Sequence, residues 1–455
     1  MSNKFINISR QSEITLPSNL TGWLDNDNLA RFIVDVVDQL DTQKFEDDYC
    51  GGGSQPYPPK LMLALLFYCY IKGIFSSRQI EIATYEQVPV IFIANGLHPD
   101  HTSIAAFRKR FINKFKYVFI QILEIAAEMG VLKLGDISID GTKIHANASK
   151  HKAMSWKYAN KLEVQLRKEI EMLLKKAEEA SNEAVNDIDI PDEIKRRETR
   201  LVKIAEAKET IKERHAIRYE KEKKEYEEKM KTRGKYEEKT GQKTRGRKPT
   251  APNDEPKDTD QVNFTDEGSR IMPLSGGGFE QAYNAQATVD MDSRLIVAHH
   301  VTQNTNDKRE VEPMLTELAL IPESCGEVKR AALDNGYHSE ENHNKLADEN
   351  IESYIPSGRQ KHNQWLEQYY GEAEDEKDAL TVMEAAQERM KTKDGKTFYA
   401  QRKSTIEPTF GIVKHVMGFR QFMLRSLEAV SGEWTIITIA FNLKRLCVLN
   451  LQILK

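Results

Sequence analysis

The sequence predicts a mixed α/β protein in which a helical N-terminal module precedes a mixed sheet that a charged helical hairpin interrupts. Three observations predict this fold class. Apolar residues recur at helical spacing through the first 130 residues, where strand signals are nearly absent. After Gly130 the pattern alternates with a period of two, and further strand patterns alternate with helical ones. A long, highly charged stretch separates the first strand from the others.

Residues 1–130 are predicted to form a helical module. Helical patterns run through DNDNLARFIVDVVDQLD, YPPKLMLALLFYCYIKG, SSRQIEIATYEQV and HPDHTSIAAFRKRFINKFKYVFIQILEIAAEMG. The last of these carries Arg108, Lys109 and Arg110 in a row. Two interpretations stay open: a helix-turn-helix-like module that binds DNA through these three cations, or a plain helical bundle with a solvated basic face.

The sheet is predicted to come from two parts of the chain, 131–156 and 265–455, that form one domain. LGDISIDGTKIHA reads as its first strand, and GGGFEQAYNAQATVDMDSRLIVAHHVT as two strands joined by the turn MDSR. EVKRAALDNGYHS predicts a buried strand that ends in a polar turn, and NIESYIPS a further short strand. Helices are predicted at KREVEPMLTELAL and HSEENHNKLADEN.

Residues 157–264 are predicted to be an inserted antiparallel helical hairpin with a linker. Apolar residues recur there at spacings of three and four on both sides of a break at Pro191. The hairpin is followed by TRGRKPTAP, which is similar to short basic segments that insert arginines into A·T-rich minor grooves. Arg245 and Arg247 are therefore candidate DNA contacts, and a solvated linker is the alternative.

Composition narrows the class of protein. The chain has 455 residues and four scattered cysteines without a Cys-x-x-Cys pair, so neither a disulfide scaffold nor a zinc ribbon is expected. No apolar run approaches the length of a membrane helix, and we expect a reduced intracellular protein. The net charge of −4 disfavours nucleic acid as a partner, but it conceals basic clusters at 108–116, 229–248 and 402–425.

Three carboxylates have the positions that chemistry would require. Asp140 lies in the middle of the first strand, where an acidic side chain between apolar neighbours is costly unless it is paired or metal-bound. Asp334 ends a predicted strand, and Glu407 lies at a predicted helix start that Ser404 or Thr405 can cap. Three such carboxylates suit two hard cations, yet each one alone could simply serve a turn or a helix dipole.

The chain resembles the DDE transposases of bacterial insertion sequences. The motifs that carry this resemblance cover most of the chain outside the hairpin: PYPPKLMLALLFYCYIKGIFSSRQIE, HPDHTSIAAFRKRF, DGTKIHANASK, GGFEQAYNAQATVD, LDNGYHSEEN and YAQRKSTIEPTFGIVKHVMGFRQF. The resemblance implies the ribonuclease-H-like fold that retroviral integrases share. It implies that Asp140, Asp334 and Glu407 are the catalytic triad and hold two Mg²⁺ ions, for which Mn²⁺ can substitute.

The resemblance also implies the partners and the place of action. These are double-stranded DNA, in the form of terminal inverted repeats and target DNA, and a second copy of the chain in the active complex. A cytoplasmic, nucleoid-associated protein is implied. Two alternatives remain open: a DNA-binding protein derived from a transposase that no longer catalyses, and a nuclease of the same fold that cleaves without joining.

The C-terminal motif is similar to the family pattern Tyr-x2-Arg-x3-Glu-x6-Lys. Tyr399, Arg402, Glu407 and Lys414 match it in type, and all but Glu407 are expected DNA contacts. Four residues, not three, separate Arg402 from Glu407, whereas Lys403 has the family's spacing. The sequence leaves open whether Arg402 or Lys403 takes the role of the family's arginine.

Overall fold

The computed structural model describes residues 19–49, 55–180, 190–241, 247–274, 276–358 and 381–453. The chain divides into two compact units. The first combines 1–144 with 283–455, and the second is formed by 145–282. The second unit is thus inserted into the first one, between residues 144 and 283.

The N-terminal part of the first unit is helical, as predicted. The α-helices among its described residues are Leu29–Gln39 (α1), Gln43–Glu46 (α2), Pro59–Ile71 (α3), Ser77–Glu86 (α4), Val88–Ile93 (α5), His101–Arg110 (α6) and Phe115–Glu128 (α7). α3 starts with a proline, which costs no intrahelical hydrogen bond in the first turn. It is followed by Gly73 at φ 77°, where a Cβ would lie only 2.9 Å from the carbonyl oxygen of Met417.

The predicted strands form the mixed sheet of the first unit. They are Leu134–His145 (β1), Phe279–Asp290 (β5), Ile296–Thr302 (β6), Gly326–Leu333 (β7) and Glu352–Tyr354 (β8), in the spatial order β6-β5-β1-β7-β8. β5 and β6 are antiparallel, while β1, β7 and β8 run parallel to one another. A sheet with both kinds of pairing is the mixed sheet that the sequence predicts.

In the described residues of the C-terminal part of this unit, two α-helices alternate with the strands, Val311–Leu318 (α10) and Glu340–Asp348 (α11). The helices after β8 are Val382–Lys391 (α12), Lys393–Ala400 (α13), Arg402–Gly411 (α14) and Leu427–Ile453 (α15). α15 packs on the sheet through specific polar contacts. The indole nitrogen of Trp434 donates to the carbonyl of Gln286 at 3.1 Å, and the Asn442 amide bonds both backbone groups of Ile296. No described helix is long and apolar enough to cross a membrane.

The second unit contains the predicted helical hairpin, Trp156–Ala180 (α8) and Ile190–Thr240 (α9). Two ion pairs show that these helices run antiparallel: Arg197 with Glu169, and Lys208 with Glu163, each at 2.8 Å. Short strands that the sequence does not predict complete this unit: Ala153–Ser155 (β2) pairs with Gln261–Asn263 (β3), and Arg270–Pro273 (β4) pairs with the first residues of β5.

The apolar stripes of the hairpin face each other and the β2–β3 ribbon. The buried cluster consists of Met154, Ala159, Leu162, Leu166, Ile204, Ala207, Ile211 and Val262. The linker that follows is described from residue 247, so Arg245 lies outside the described residues. Arg247 is exposed, and its carbonyl accepts from the guanidinium of Arg233 at 3.4 Å.

The structure does not place Arg108 on a basic surface with its two neighbours. Its side chain is buried, and its guanidinium donates to the Tyr70 hydroxyl at 2.8 Å and to the Phe75 carbonyl at 3.1 Å. The carboxylate of Glu433 on α15 lies in the same buried cluster and accepts from the amides of Met423 and Leu424. A buried cation requires anionic or polar partners, and Arg108 finds them both in the helical module and on α15. It thus connects these two parts of the unit.

Burial raises the pKa of Glu433 to about 7, although the backbone amide of Leu424 and the charge of Arg108 oppose this shift. The folded-state pKa lies above the unfolded one, so this group's contribution to stability is complete below the unfolded pKa and is lost as pH rises through about 7. We expect Glu433→Gln to remove this loss. The stability difference should shift in the variant's favour by up to about 3 kcal/mol between about pH 5 and about pH 8.

Urea unfolding of wild type and variant at several pH values measures this difference. Glu428→Gln, which replaces an exposed carboxylate on the same helix, is the matched control and should leave the wild-type pH slope unchanged. Parallel pH profiles of wild type and Glu433→Gln would contradict a raised pKa.

Candidate active site

The parallel pairing of β1 with β7 brings two of the predicted carboxylates together. Ile139 of β1 is in register with Leu333, the last residue of β7, so Asp140 and Asp334 each directly follow a residue of this pair. The Asp334 backbone leaves the sheet directly after β7, and its side chain is exposed. Asp140 is less exposed, and its Oδ1 accepts from the Gly141 amide at 2.8 Å.

Glu407 lies in the middle of α14 rather than at its start. The helix begins at Arg402, and the Ser404 amide and the Thr405 hydroxyl bond to the Gln401 carbonyl at 2.9 and 3.0 Å. The predicted capping by Ser404 or Thr405 is therefore wrong. Pro408 lies inside the helix, which continues as a π-helical turn at Ile412–Val416. π-Helical turns are rare in proteins, and those that do occur often lie at functional sites.

Arg402 joins the carboxylates of β1 and α14. Its Nη2 lies 2.5 Å from Asp140 Oδ2, and its Nη1 lies 3.7 Å from Glu407 Oε1. The negative charge of Asp334 also acts on this guanidinium and helps to raise its pKa, against the effect of burial. Lys403, the residue with the family's spacing, is exposed. Arg402 is thus the basic residue that the structure brings to the carboxylates.

The pKa of the Asp140 carboxyl group is raised, which indicates that the surroundings disfavour its negative charge. Burial raises the pKa of its carboxyl group to about 6, while Arg402 and the Gly141 amide act in the opposite direction. The charges of Asp334 and Asp307 add to the increase. A carboxylate whose pKa is raised by burial and by neighbouring negative charges is stabilised in its charged form by a nearby cation.

Two segments of the chain match known protein families. Residues 250–443 match the transposase DDE domain, and residues 18–110 match a second model that is described as a transposase domain. The chain therefore contains a transposase DDE domain and a second transposase domain. The first match includes Asp334 and Glu407, whereas Asp140 lies before it. No curated protein and no solved structure gives a significant match to the chain.

Two further residues of the transposase's C-terminal motif lie next to the triad. Tyr399 is partly buried, and burial raises the pKa of its hydroxyl, with smaller effects from Arg402 and the triad carboxylates. The ammonium group of Lys414 donates to the carbonyl of Lys143, three residues after Asp140, at 3.0 Å. Burial and the charge of Lys143 lower the pKa of Lys414.

The structure adds residues that the sequence does not predict. Lys143, Asn284, Gln286, Asp307 and Tyr337 form a polar cluster beside Gly141. All but Asp307 occur in motifs that carry the family resemblance, but nothing in their spacing indicates that they meet. Asp307 lies in a polar stretch between β6 and α10, where an aspartate is ordinary in sequence.

The donor set of the predicted triad fits hard divalent cations. Three carboxylates offer the oxygen ligands that Mg²⁺ binds, and the guanidinium of Arg402 contacts two of them, Asp140 and Glu407. As the side chains stand, the described part of the chain contains no group of three metal-ligating residues close enough to hold an ion.

Proposed function

We propose that this transposase cleaves DNA at the ends of an insertion sequence and joins the freed ends to target DNA in a metal-dependent reaction. The observation that supports this most strongly is that Arg402 contacts both Asp140 and Glu407, while Asp334 directly follows the strand that pairs with the strand of Asp140. Carboxylates in such an arrangement serve phosphoryl transfer without a covalent protein intermediate.

Asp140, Asp334 and Glu407 would hold two Mg²⁺ ions, or Mn²⁺ in their place. When bound, these ions would supply activation of the attacking oxygen and charge stabilisation of the leaving oxygen. Arg402 offsets part of the negative charge of the carboxylates in the absence of these ions and is well placed to bind a phosphate once the carboxylates have other partners. Lys414, fixed by the Lys143 carbonyl, would orient the DNA backbone beside the site.

The proposal includes the partners and the cellular place of action. Double-stranded DNA, as terminal inverted repeats and as target, would bind along the basic surfaces. Candidate contacts are Tyr399 and Lys403 in the C-terminal motif and Arg247 in the linker after the hairpin. Two ends must be handled together, so a homodimer is proposed for the active complex. The transposase would act in the cytoplasm, in association with the nucleoid.

A strand-transfer assay tests the proposal. The purified chain is incubated with Mg²⁺, a labelled duplex that carries the inverted repeats flanking its gene, and a supercoiled target plasmid. Joined product supports a transposase, and cleaved ends without joined product indicate a nuclease instead. Binding without either product indicates a protein that only recognises the ends. EDTA should abolish both products without preventing binding.

The exposed cations of α6 are proposed to contact the DNA ends. Lys109 and Arg110 are exposed, and the guanidinium of Arg110 also lies 4.6 Å from the Tyr49 ring. We expect Lys109→Ala combined with Arg110→Ala to weaken end binding and to reduce the salt dependence of log K by about 2, since each phosphate contact contributes about 0.9. Fluorescence anisotropy over a salt series measures both quantities.

The matched control is Lys133→Ala combined with Lys329→Ala, which removes the same charge from exposed positions outside α6. Arg108 is not substituted, because its burial would confound binding with folding. An unchanged affinity and salt slope in the α6 variant would remove this helix from the DNA interface.

A further inference from the structure

A carboxylate outside the triad holds the polar cluster beside the site together. Asp307 lies between β6 and α10, and its side chain is 23% exposed. Its Oδ1 accepts from Asn284 Nδ2 and Gln286 Nε2, both at 2.7 Å, and lies 3.3 Å from the ammonium group of Lys143. Three donors from two strands thus converge on one oxygen atom, and hydrogen bonds to a charged acceptor are about twice as strong as neutral ones.

The cluster reaches the segment that carries Asp334. The hydroxyl of Tyr337, three residues after Asp334, donates to Gln286 Oε1, while Gln286 Nε2 donates to Asp307. Tyr337 is completely buried, and burial raises the pKa of its hydroxyl well above the usual value, so it stays a neutral donor. The loop after β7 is therefore tied to Asp307 through a single side-chain amide.

The cluster is also packed against the strand that carries Asp140. A Cβ on Gly141 would lie 2.0 Å from Gln286 Nε2 and 2.7 Å from Asp307 Oδ1, so only glycine fits there without displacing the cluster. The amide of this same glycine donates to Asp140 Oδ1. A shift of Asp307 or Gln286 would consequently move the backbone that orients the Asp140 carboxylate.

A third connection leads to the lysine of the C-terminal motif. Lys143 pairs with Asp307 through its side chain, and its carbonyl accepts from the ammonium group of Lys414. Asp307 is therefore connected to all three segments that carry Asp140, Asp334 and Lys414. Asp307 makes these connections although it lies outside the sequence motifs that contain Asp140, Asp334 and Glu407.

We propose that Asp307 is a positioning residue of the active site: it sets the separation of the segments that carry Asp140, Asp334 and Lys414. This proposal rests on the proposed function. Its physical basis is that a displacement of about 1 Å in reacting groups can cost about 10²-fold in rate, even when the displaced residue does not touch the substrate. Asp307 acts through Gln286 and Lys143 and not by contact with DNA.

The test compares single-turnover joining at saturating DNA with the dissociation constant of the DNA ends. We expect Asp307→Asn, which keeps the shape but removes the charge, to lower the joining rate about 10²-fold and to leave the dissociation constant and the melting temperature near those of wild type. Asp348→Asn, at the exposed end of α11, is the matched control and should behave as wild type.

A double-mutant cycle with Gln286→Leu separates positioning from direct contact. If Asp307 acts through Gln286, the double variant loses no more than the more affected single variant. Losses that multiply, a joining rate for Asp307→Asn equal to that of wild type, or a loss that lies entirely in the dissociation constant would each overturn the proposal.

Two further results keep the test decisive. If Asp307→Asn does not fold, Lys143→Met removes one connection of the cluster, and full joining activity in that variant would reject the positioning role. If wild type gives no joined product, the proposed function fails and the positioning role fails with it. Wild-type activity together with an unaffected Asp307→Asn variant rejects the positioning role alone.

Discussion

Asp334→Asn is expected to eliminate both cleavage and joining of the element ends while the affinity for those ends stays the same or increases. The substitution removes one of the three carboxylates proposed to hold the metal ions. Loss of an outer-shell partner of a metal ligand already costs about 10- to 100-fold, so loss of the ligand itself should exceed about 10²-fold. Affinity is not expected to fall, because the variant has one negative charge less facing the DNA phosphates.

The exposure of Asp334 makes it the most informative member of the triad. Its side chain lies outside the core, so the asparagine variant should fold like wild type. Asp140 is less suitable, because its carboxylate is the nearest partner of the buried Arg402, and its loss would leave that cation with Glu407 at 3.7 Å. The difference between a catalytic and a structural defect is therefore clearest at Asp334.

The measurement is the strand-transfer assay with parallel anisotropy titrations. Asp348→Asn serves again as the isosteric control at an exposed aspartate. Joined product from Asp334→Asn at a rate within tenfold of wild type, or about 1.4 kcal/mol in activation free energy, would reject the assignment of this residue as a metal ligand. A parallel loss of end binding would instead point to a role in the DNA interface.

The sequence predicts the main sheet because its strands carry their own signal. β1, β5, β6 and β7 are long enough for the alternation of polar and apolar residues to be recognised, and the turn between β5 and β6 is compact. Among the strands of three residues, the sequence indicates only β8, through NIESYIPS, and it gives no strand signal at β2 or β3. Their pairing depends on the hairpin that lies between them in the sequence.

The sequence predicts less of the candidate site than of the fold. Periodicity places Asp140 and Asp334 on strands, but only the β1–β7 register shows that they directly follow two residues that pair with each other. Local capping rules favour Ser404 as a helix start, whereas the helix begins at Arg402, whose side chain is engaged by Asp140. Tertiary contacts also bury Arg108 within a run of three cations, and charge patterning alone cannot distinguish it from its neighbours.

Arg402→Ala is expected to lower the joining rate about 10²-fold, the usual cost of removing one charge-stabilising donor from an active site, whereas Lys403→Ala should have little effect on the rate. The two residues are adjacent on one helix and have the same charge, so each is the other's control. They differ in position: the Arg402 guanidinium lies 2.5 Å from Asp140 and 3.7 Å from Glu407, while Lys403 is exposed.

Arg402→Lys refines this comparison because it keeps the charge and changes the geometry. A lysine cannot reproduce the planar fork that reaches both Asp140 Oδ2 and Glu407 Oε1, so the variant should recover only part of the activity that alanine loses. Full recovery would mean that charge alone matters at this position. A larger loss from Lys403→Ala than from Arg402→Ala would show that spacing in the sequence, rather than proximity to the carboxylates, identifies the functional cation.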